Sequence, residues 1–328
     1  MSSLPCFDLP TEALFEYSGT NPKPDDFDNF WKETLEQTEA IDPDVHREGV
    51  ELPLPGVRCA HLFFTGLGGA RVYAKFLRPE SPHPRGNPGL LHFHGYSVQS
   101  AEWFQLYRYA SLGFFVLTLD CRGQAGRSEE SGGTRFNTLR GQIVRGIYED
   151  PRELRFRYIF SDAYRLATIL AGFPEVDATR LAATGGSQGG ALSLVAAALY
   201  PELNRIVISN PFLCDYQRVW ELRLAEEGAY QEIGDTIRRL DPRGEKLDHL
   251  FHNLGYIDAA HLASRITARC LMGTGLSDTV CPPSTQFAAY NRIRGPKDVR
   301  FYPLYGHELL PGLEDDALRE WVPLLPAD

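Results

Sequence analysis

Eight short apolar runs rich in β-branched residues punctuate the chain, and their spacing constrains its fold more than any other feature. They are VRCAHLFF (57–64), VYAKFL (72–77), GLLHFHG (89–95), FFVLTLD (114–120), RLAATGG (180–186), RIVISN (205–210), ARCLMGTG (268–275) and VRFYPLYG (299–306). From the third onward they are separated by stretches able to form helices. Near-continuous apolarity is what a strand needs when both faces of its sheet are covered, and parallel neighbours need helical crossovers. The pattern predicts an α/β protein with a mostly parallel central sheet and helices on both faces.

Two helices are readable directly. In ELRFRYIFSDAYRLATILAGF (153–173), Leu154, Tyr158, Phe160, Tyr164, Ala167 and Leu170 recur at helical spacing, which leaves Arg157, Asp162 and Arg165 on other faces. Pro174 closes the segment. Upstream, PDDFDNFWKETLEQTEA (24–40) opens with aspartates at the helix end that favours negative charge. Its stripe of Phe27, Phe30, Trp31 and Leu35 is expected to pack on the sheet. RPESPHPRGNPG (78–89) is too short to separate domains and reads as a surface hairpin or loop. One domain is expected, with residues 1–45 as an N-terminal helical extension and 121–155 as a loop-rich insertion.

GGSQG (185–189) carries the G-x-S-x-G pattern between the strand RLAAT and the apolar helix ALSLVAAALY. That context is what a nucleophile elbow demands, because the serine sits on a strained strand-to-helix turn and small neighbours let the backbone pass close. Gly185 and Gly189 would supply that space. A helix starting at Ser187 also aims free N–H groups and a positive dipole end at any negative charge developing nearby. The bland alternative is a tight glycine-rich turn with a capping serine.

A nucleophile on such a sheet needs an acid and then a histidine, each at the end of a later strand. His249, His252 and His261 lie in segments without strand character, whereas His307 directly follows VRFYPLYG. The strand ARCLMGTG is followed by LSDTVCPPS, which makes Asp278 the acid, with Pro282 and Pro283 opening the next helix. An oxyanion hole then takes the backbone N–H of Gln188 and a second from the loop after an early strand, assigned to Tyr96 in LLHFHGYS. The paired His92 and His94 invite a metal reading, but Tyr96 and Ser97 stand where further ligands would be needed, so neither metal nor cofactor is expected.

A net charge of −10, with both signs interspersed, argues against nucleic acid and for a small, weakly charged substrate. No run is apolar enough to span a bilayer, and the first residues lack a signal-peptide pattern, so a cytoplasmic protein with no membrane partner is expected. The six scattered cysteines form no metal or redox motif and read as reduced, mostly packed thiols.

HGYS (94–97), CRGQ (121–124), TGGSQGG (184–190), GLSDTVCPPSTQFAAYN (275–291) and YGHE (305–308), with DDFDNFWKETLEQ (25–37), resemble in order and spacing the acetyl xylan esterase/cephalosporin C deacetylase family, carbohydrate esterase family seven. The resemblance implies an α/β-hydrolase fold and hydrolysis of acetyl esters on short xylo-oligosaccharides and of the cephalosporin 3′-acetyl group. It also implies a Ser187, Asp278 and His307 triad, Tyr96 and Gln188 amides as oxyanion hole, and a homohexamer. HGYS replaces the usual HGYN, and AGRSEESGG follows RGQ. Arg122, Gly123 and Gln124 match the family's RGQ signature; the residues themselves leave their role open, with loop-holding hydrogen bonds supposed. RGQ recurs at 140–142. The rival readings are a serine peptidase of prolyl oligopeptidase type and a hydrolase-like binding protein without turnover.

Overall fold

The computed structural model describes residues 6–130, 142–226 and 228–326. The eight apolar runs become strands and a ninth precedes them: β1 (His46–Val50), β2 (Val57–Thr65), β3 (Arg71–Pro79), β4 (Asn87–Phe93), β5 (Phe115–Leu119), β6 (Val176–Gly186), β7 (Arg205–Ser209), β8 (Arg269–Gly275) and β9 (Lys297–Tyr302). They form one sheet in the order β1-β2-β3-β5-β4-β6-β7-β8-β9. The pairs β1/β2, β2/β3 and β3/β5 are antiparallel, and every pair from β5/β4 to β8/β9 is parallel. β1 escaped the sequence reading because four of its five residues are exposed, so HREGV carries no apolar pattern. β3 and β4 are not neighbours, and the connection between them is therefore a loop rather than a hairpin.

Adjacent residues of each central strand feed opposite cores. Leu91, Leu117, Ala183, Ile206 and Met272 face a core shared with the Arg155–Ala171 and Gln188–Leu199 helices. Their neighbours Leu90, Val116, Ala182, Val207 and Leu271 face a second core with the Trp103–Ser111 and Leu313–Trp321 helices. This explains the unbroken apolar runs, since a strand covered on both sides has no polar face to show.

One expectation is corrected beside the Arg155–Ala171 helix, whose other faces, with Arg157, Asp162 and Arg165, are buried too. The apolar stripe of the Phe27–Glu39 helix packs over this helix rather than on the sheet: Trp31 stacks on Phe160 with centroids 5.8 Å apart, and its Nε1 donates to the Tyr256 carbonyl at 2.9 Å. The covering helix and the residues just after it supply acceptors for the polar faces, Thr34 Oγ1 and Gln37 Oε1 for Arg157, and the Thr38 and Ile41 carbonyls for Arg165. Removing each large aromatic from water contributes roughly 1.5–3 kcal/mol, enough to hold this outer layer while its polar atoms trade water for protein partners.

Asp162 binds Arg122 through two bonds of 2.5 and 2.6 Å, and Arg122 also donates to the Leu67 carbonyl at 2.7 Å. Both side chains are essentially inaccessible. A Cβ on Gly66 would stand 2.1 Å from the Arg122 guanidinium, so that residue must be glycine for the pair to close. The described parts of the 121–155 insertion are turns ending in a 3₁₀ turn at Pro151–Glu153; Arg140 and Gly141 of the second RGQ lie outside the described residues. Asp162→Ala would leave the Arg122 guanidinium buried without its carboxylate and should lower unfolding free energy by about 3–5 kcal/mol. Urea titration checks this, and an unmoved midpoint would show that the pair contributes nothing net.

Candidate active site

The strand order reverses beside β4: the chain leaves β4 for β5 on one side and returns to β6 on the other. Crevices outside the carboxyl ends of parallel strands at such a switch point are the usual ligand sites of open α/β sheets. The pairing of Phe93 with Gly185, Gly186 with Ser209, and Gly275 with Tyr302 brings the ends of β4, β6, β7, β8 and β9 to one edge. Tyr96, Ser187, Asn210, Asp278 and His307 all follow those ends.

Ser187 occupies φ 56° and ψ −122°, left-handed backbone that non-glycine residues avoid, and the helix begins at Gln188 rather than at the serine. Its N–H donates to the Ser209 carbonyl at 2.9 Å, and its carbonyl accepts from Phe212 and Ala191 at 3.0 and 3.1 Å. Three backbone bonds thus over-determine the turn and hold the strain. Gly185 and Gly189 make it possible. A Cβ on Gly185 would lie 2.6 Å from the Gly189 backbone, and one on Gly189 would lie 2.1 Å from the Phe93 carbonyl.

The structure brings Ser187, Asp278 and His307 into one hydrogen-bonded chain. His307 Nε2 lies 2.9 Å from Ser187 Oγ, and His307 Nδ1 lies 2.8 Å from Asp278 Oδ2. Asp278 is fully buried, and its other oxygen accepts the Val280 and Cys281 N–H groups, each at 2.8 Å. With Nδ1 donating to the carboxylate, the Nε2 lone pair faces the hydroxyl and can take its proton. Burial pushes the adjacent Cys281 thiol well up, so it stays neutral beside this chain.

The other expected site residues gather around it. Gln188 is fully buried at the start of its helix, and its side chain meets Gln124 through bonds of 2.7 and 3.1 Å. Gln124 Oε1 also accepts the Ser97 N–H at 2.9 Å, which ties down the loop that carries Tyr96. Arg122 therefore braces the Leu67 turn and Asp162, while Gln124 braces the site loop. Gly123, at φ +66°, turns the chain between them, and a Cβ there would collide with Glu130.

His92 and His94 are absorbed by the fold. His94 lies beyond the end of β4, donates from Nδ1 to the Gly95 carbonyl at 2.7 Å and accepts the Cys121 N–H at Nε2 at 3.0 Å, which uses both nitrogens. Burial lowers the His94 pKa and takes that of His92 down to about 3. His249, His252 and His261 sit on the Leu247–Gly255 and Ala259–Leu262 helices, away from the strand ends. Among the described residues one cluster has ligand atoms close enough for a metal, Asp278, Cys281 and His307 within 4.8 Å, but its carboxylate and imidazole are spent on bonding to each other.

Sequence reasoning missed Asn210. Its Oδ1 accepts the Gly275 N–H at 2.9 Å and its Nδ2 donates to the Gly306 carbonyl at 3.4 Å, so it links the loops of Asp278 and His307. An asparagine at a strand end before proline was the available signal, and its φ of 42° fits the residue type.

A parallel sheet with a serine elbow after β6, an acid after β8 and a histidine after β9 defines an α/β-hydrolase. Comparison with known proteins narrows the class. The acetyl xylan esterase (AXE1) family profile matches residues 4–324. Acetyl xylan esterase 1 from Thermoanaerobacterium sp. JW/SL YS485 superposes with a TM-score of 0.94 at 46% identity, covering 97% of this chain and 99% of that one. An acetyl xylan esterase from Paenibacillus sp. R4 gives 0.91 at 33% identity, covering 96% and 99%. Acetyl esterase Axe7A of Xylanibacter ruminicola is 26% identical over 290 residues, 87% of this chain but 63% of that longer protein. The chain belongs to the acetyl xylan esterase family, a family of carboxylic ester hydrolases.

Strain at Ser187 has a measurable consequence. At an unstrained position Gly is less stable than Ala by about 0.5–1 kcal/mol; here Ser187→Gly should be more stable than Ser187→Ala by about 1 kcal/mol, because only glycine accepts this backbone. Paired thermal unfolding of the two variants checks it, and the ordinary order, alanine above glycine, would mean that the elbow stores no strain.

Proposed function

We propose that the protein is a serine esterase that removes acetyl groups from small carbohydrates, acetylated xylo-oligosaccharides foremost, and from cephalosporin C-type 3′-acetyl esters. The observation that carries this reading is the hydrogen-bonded order Asp278, His307, Ser187 at the strand ends of a chain in the acetyl xylan esterase family. In the reaction, Ser187 Oγ attacks the acetyl carbonyl carbon while His307 Nε2 takes the hydroxyl proton. Asp278 holds the imidazole tautomer and stabilises the cation that forms. The oxyanion receives the N–H groups of Tyr96 and Gln188, and the dipole of the helix behind Ser187 adds to them.

Collapse of the tetrahedral species breaks the bond to the sugar oxygen, which leaves with the proton returned by His307. Water then attacks the acetyl-serine, giving its proton to His307, and acetate departs as Ser187 recovers its hydrogen. No cofactor enters these steps. A neutral sugar ester suits a chain with net charge −10, since no anionic group must be drawn in. Among the described residues no helix is long and apolar enough to cross a membrane; a homohexamer is what the family resemblance implies. The whole-chain family match favours this reading over a peptidase, and the complete Ser, His and Asp set favours it over a binding protein.

Steady-state acetate release from xylose tetraacetate and 7-aminocephalosporanic acid should be fast in the wild type. It should fall by about 10⁴–10⁶-fold in Ser187→Ala, with the melting temperature little changed. Cleavage of p-nitrophenyl butyrate without acetate release from either substrate would keep the serine chemistry and overturn the acetyl specificity, while retained turnover in Ser187→Ala would overturn the nucleophile.

A further inference from the structure

Glu232 is 4% exposed on the Gln231–Leu240 helix, and no step above uses it. Its Oε1 accepts the Tyr96 hydroxyl, and its Oε2 accepts the Ile143 N–H at 3.1 Å. The Tyr96 ring lies against Phe212 and Phe156, with centroids 5.2 and 6.4 Å away. Phe212 in turn donates its N–H to the Ser187 carbonyl at 3.0 Å. Tyr96 is thus gripped at its tip by a buried carboxylate and along its ring by an aromatic side chain anchored to the nucleophile turn.

The loop is held by side chains rather than by a strand or helix of its own. Gly95 precedes Tyr96 with open space where a Cβ would stand, apart from Val98 at 4.0 Å, and Ser97 follows at φ 60°. Three side chains reach in from elsewhere to restrain it, Gln124 on the Ser97 N–H, Gln188 on the Gly95 carbonyl at 3.4 Å and Glu232 on the Tyr96 hydroxyl. A buried carboxylate is costly to desolvate, so simple packing would be better served by an apolar residue at that position.

We propose that Glu232 is a positioning residue which, by holding the Tyr96 hydroxyl, keeps the Tyr96 backbone N–H aimed at the oxygen where charge develops. The proposal rests on the reading of Tyr96 as an oxyanion donor. Its physical content is preorganisation: a donor already in place costs nothing to reorient as the tetrahedral species forms, whereas a donor on a loose loop must be ordered at that moment. The effect belongs to the transition state, so it appears in kcat rather than in KM.

The test compares wild type, Glu232→Gln, Tyr96→Phe and the double variant on p-nitrophenyl acetate. Active sites are counted with a serine-reactive phosphonate, so that a misfolded fraction does not pass for slow catalysis. Each single variant should lose about 10- to 100-fold in kcat per titrated site, with KM within about twofold. The double variant should lose no more than the worse single, because both changes cut one link. Unchanged kcat in both singles, with only the melting temperature lowered, would reduce Glu232 to a structural role. Losses that multiply in the double variant would also overturn the proposal. A crystal structure of the wild-type boronic acid adduct on Ser187 tests the donor separately. A boronate oxygen out of reach of the Tyr96 N–H would sink the donor reading itself. With that contact present and the variants at full kcat, Glu232 alone would be discarded.

Discussion

Everything in the site depends on how closely the backbone after β6 passes the end of β4. The Gly189 Cα lies so near the Phe93 carbonyl that a methyl group there would sit 2.1 Å from the oxygen. That approach puts the first turn of the Gln188–Leu199 helix directly against the loop that carries Tyr96, and it forces Ser187 through left-handed backbone to make the corner. The geometry proposed for catalysis and the local strain are therefore one feature, stabilised by a helix in which every residue is buried. A flexible elbow could carry the same serine, but it could not hold Oγ in fixed relation to the two proposed backbone donors.

The buried polar groups form the second layer of this constraint. Arg122 and Asp162 are inaccessible, and their mutual bonds replace the hydration both lose. Such a pair is weak as a source of stability and demanding as a constraint, because either member alone is costly. Here it fixes the turn after β5 against the Arg155–Ala171 helix and the Leu67 turn, two residues before Gln124 reaches the site loop. The Phe27–Glu39 helix completes that layer by covering polar faces that would otherwise need water.

The central sheet was legible because strands covered on both faces must be apolar throughout, and the grouping of Ser187, Asp278 and His307 was legible because each follows such a strand. What the sequence concealed has the opposite character. β1 has an exposed, polar face and is recognised only once β2 is there to pair with it. The burial of Arg157, Asp162 and Arg165 was not legible because periodicity distinguishes faces of a helix without saying what covers the polar ones; the covering helix lies more than a hundred residues upstream. Asn210 and Glu232 act through contacts across 65 and 136 residues respectively, and no local pattern marks a partner at that distance.

The same distance explains why the site needs such residues at all. Its working atoms come from separate loops after β4, β6, β8 and β9, and loops are the parts of a fold least able to hold a position alone. Each is therefore tied to something outside itself. A Cβ on Gly275 would lie 2.5 Å from the Tyr305 and Gly306 carbonyl oxygens, so glycine lets the end of β8 approach the His307 loop, and Asn210 bonds to both of those segments. Asp278 then reaches across to His307 from a loop whose two N–H groups already fill its second oxygen. The carboxylate cannot turn away without abandoning three bonds, so the imidazole inherits its orientation from the loop after β8. The position of Ser187 is thus set by residues outside the proposed triad, which is the physical reason to look for function in Asn210 and Glu232 as well.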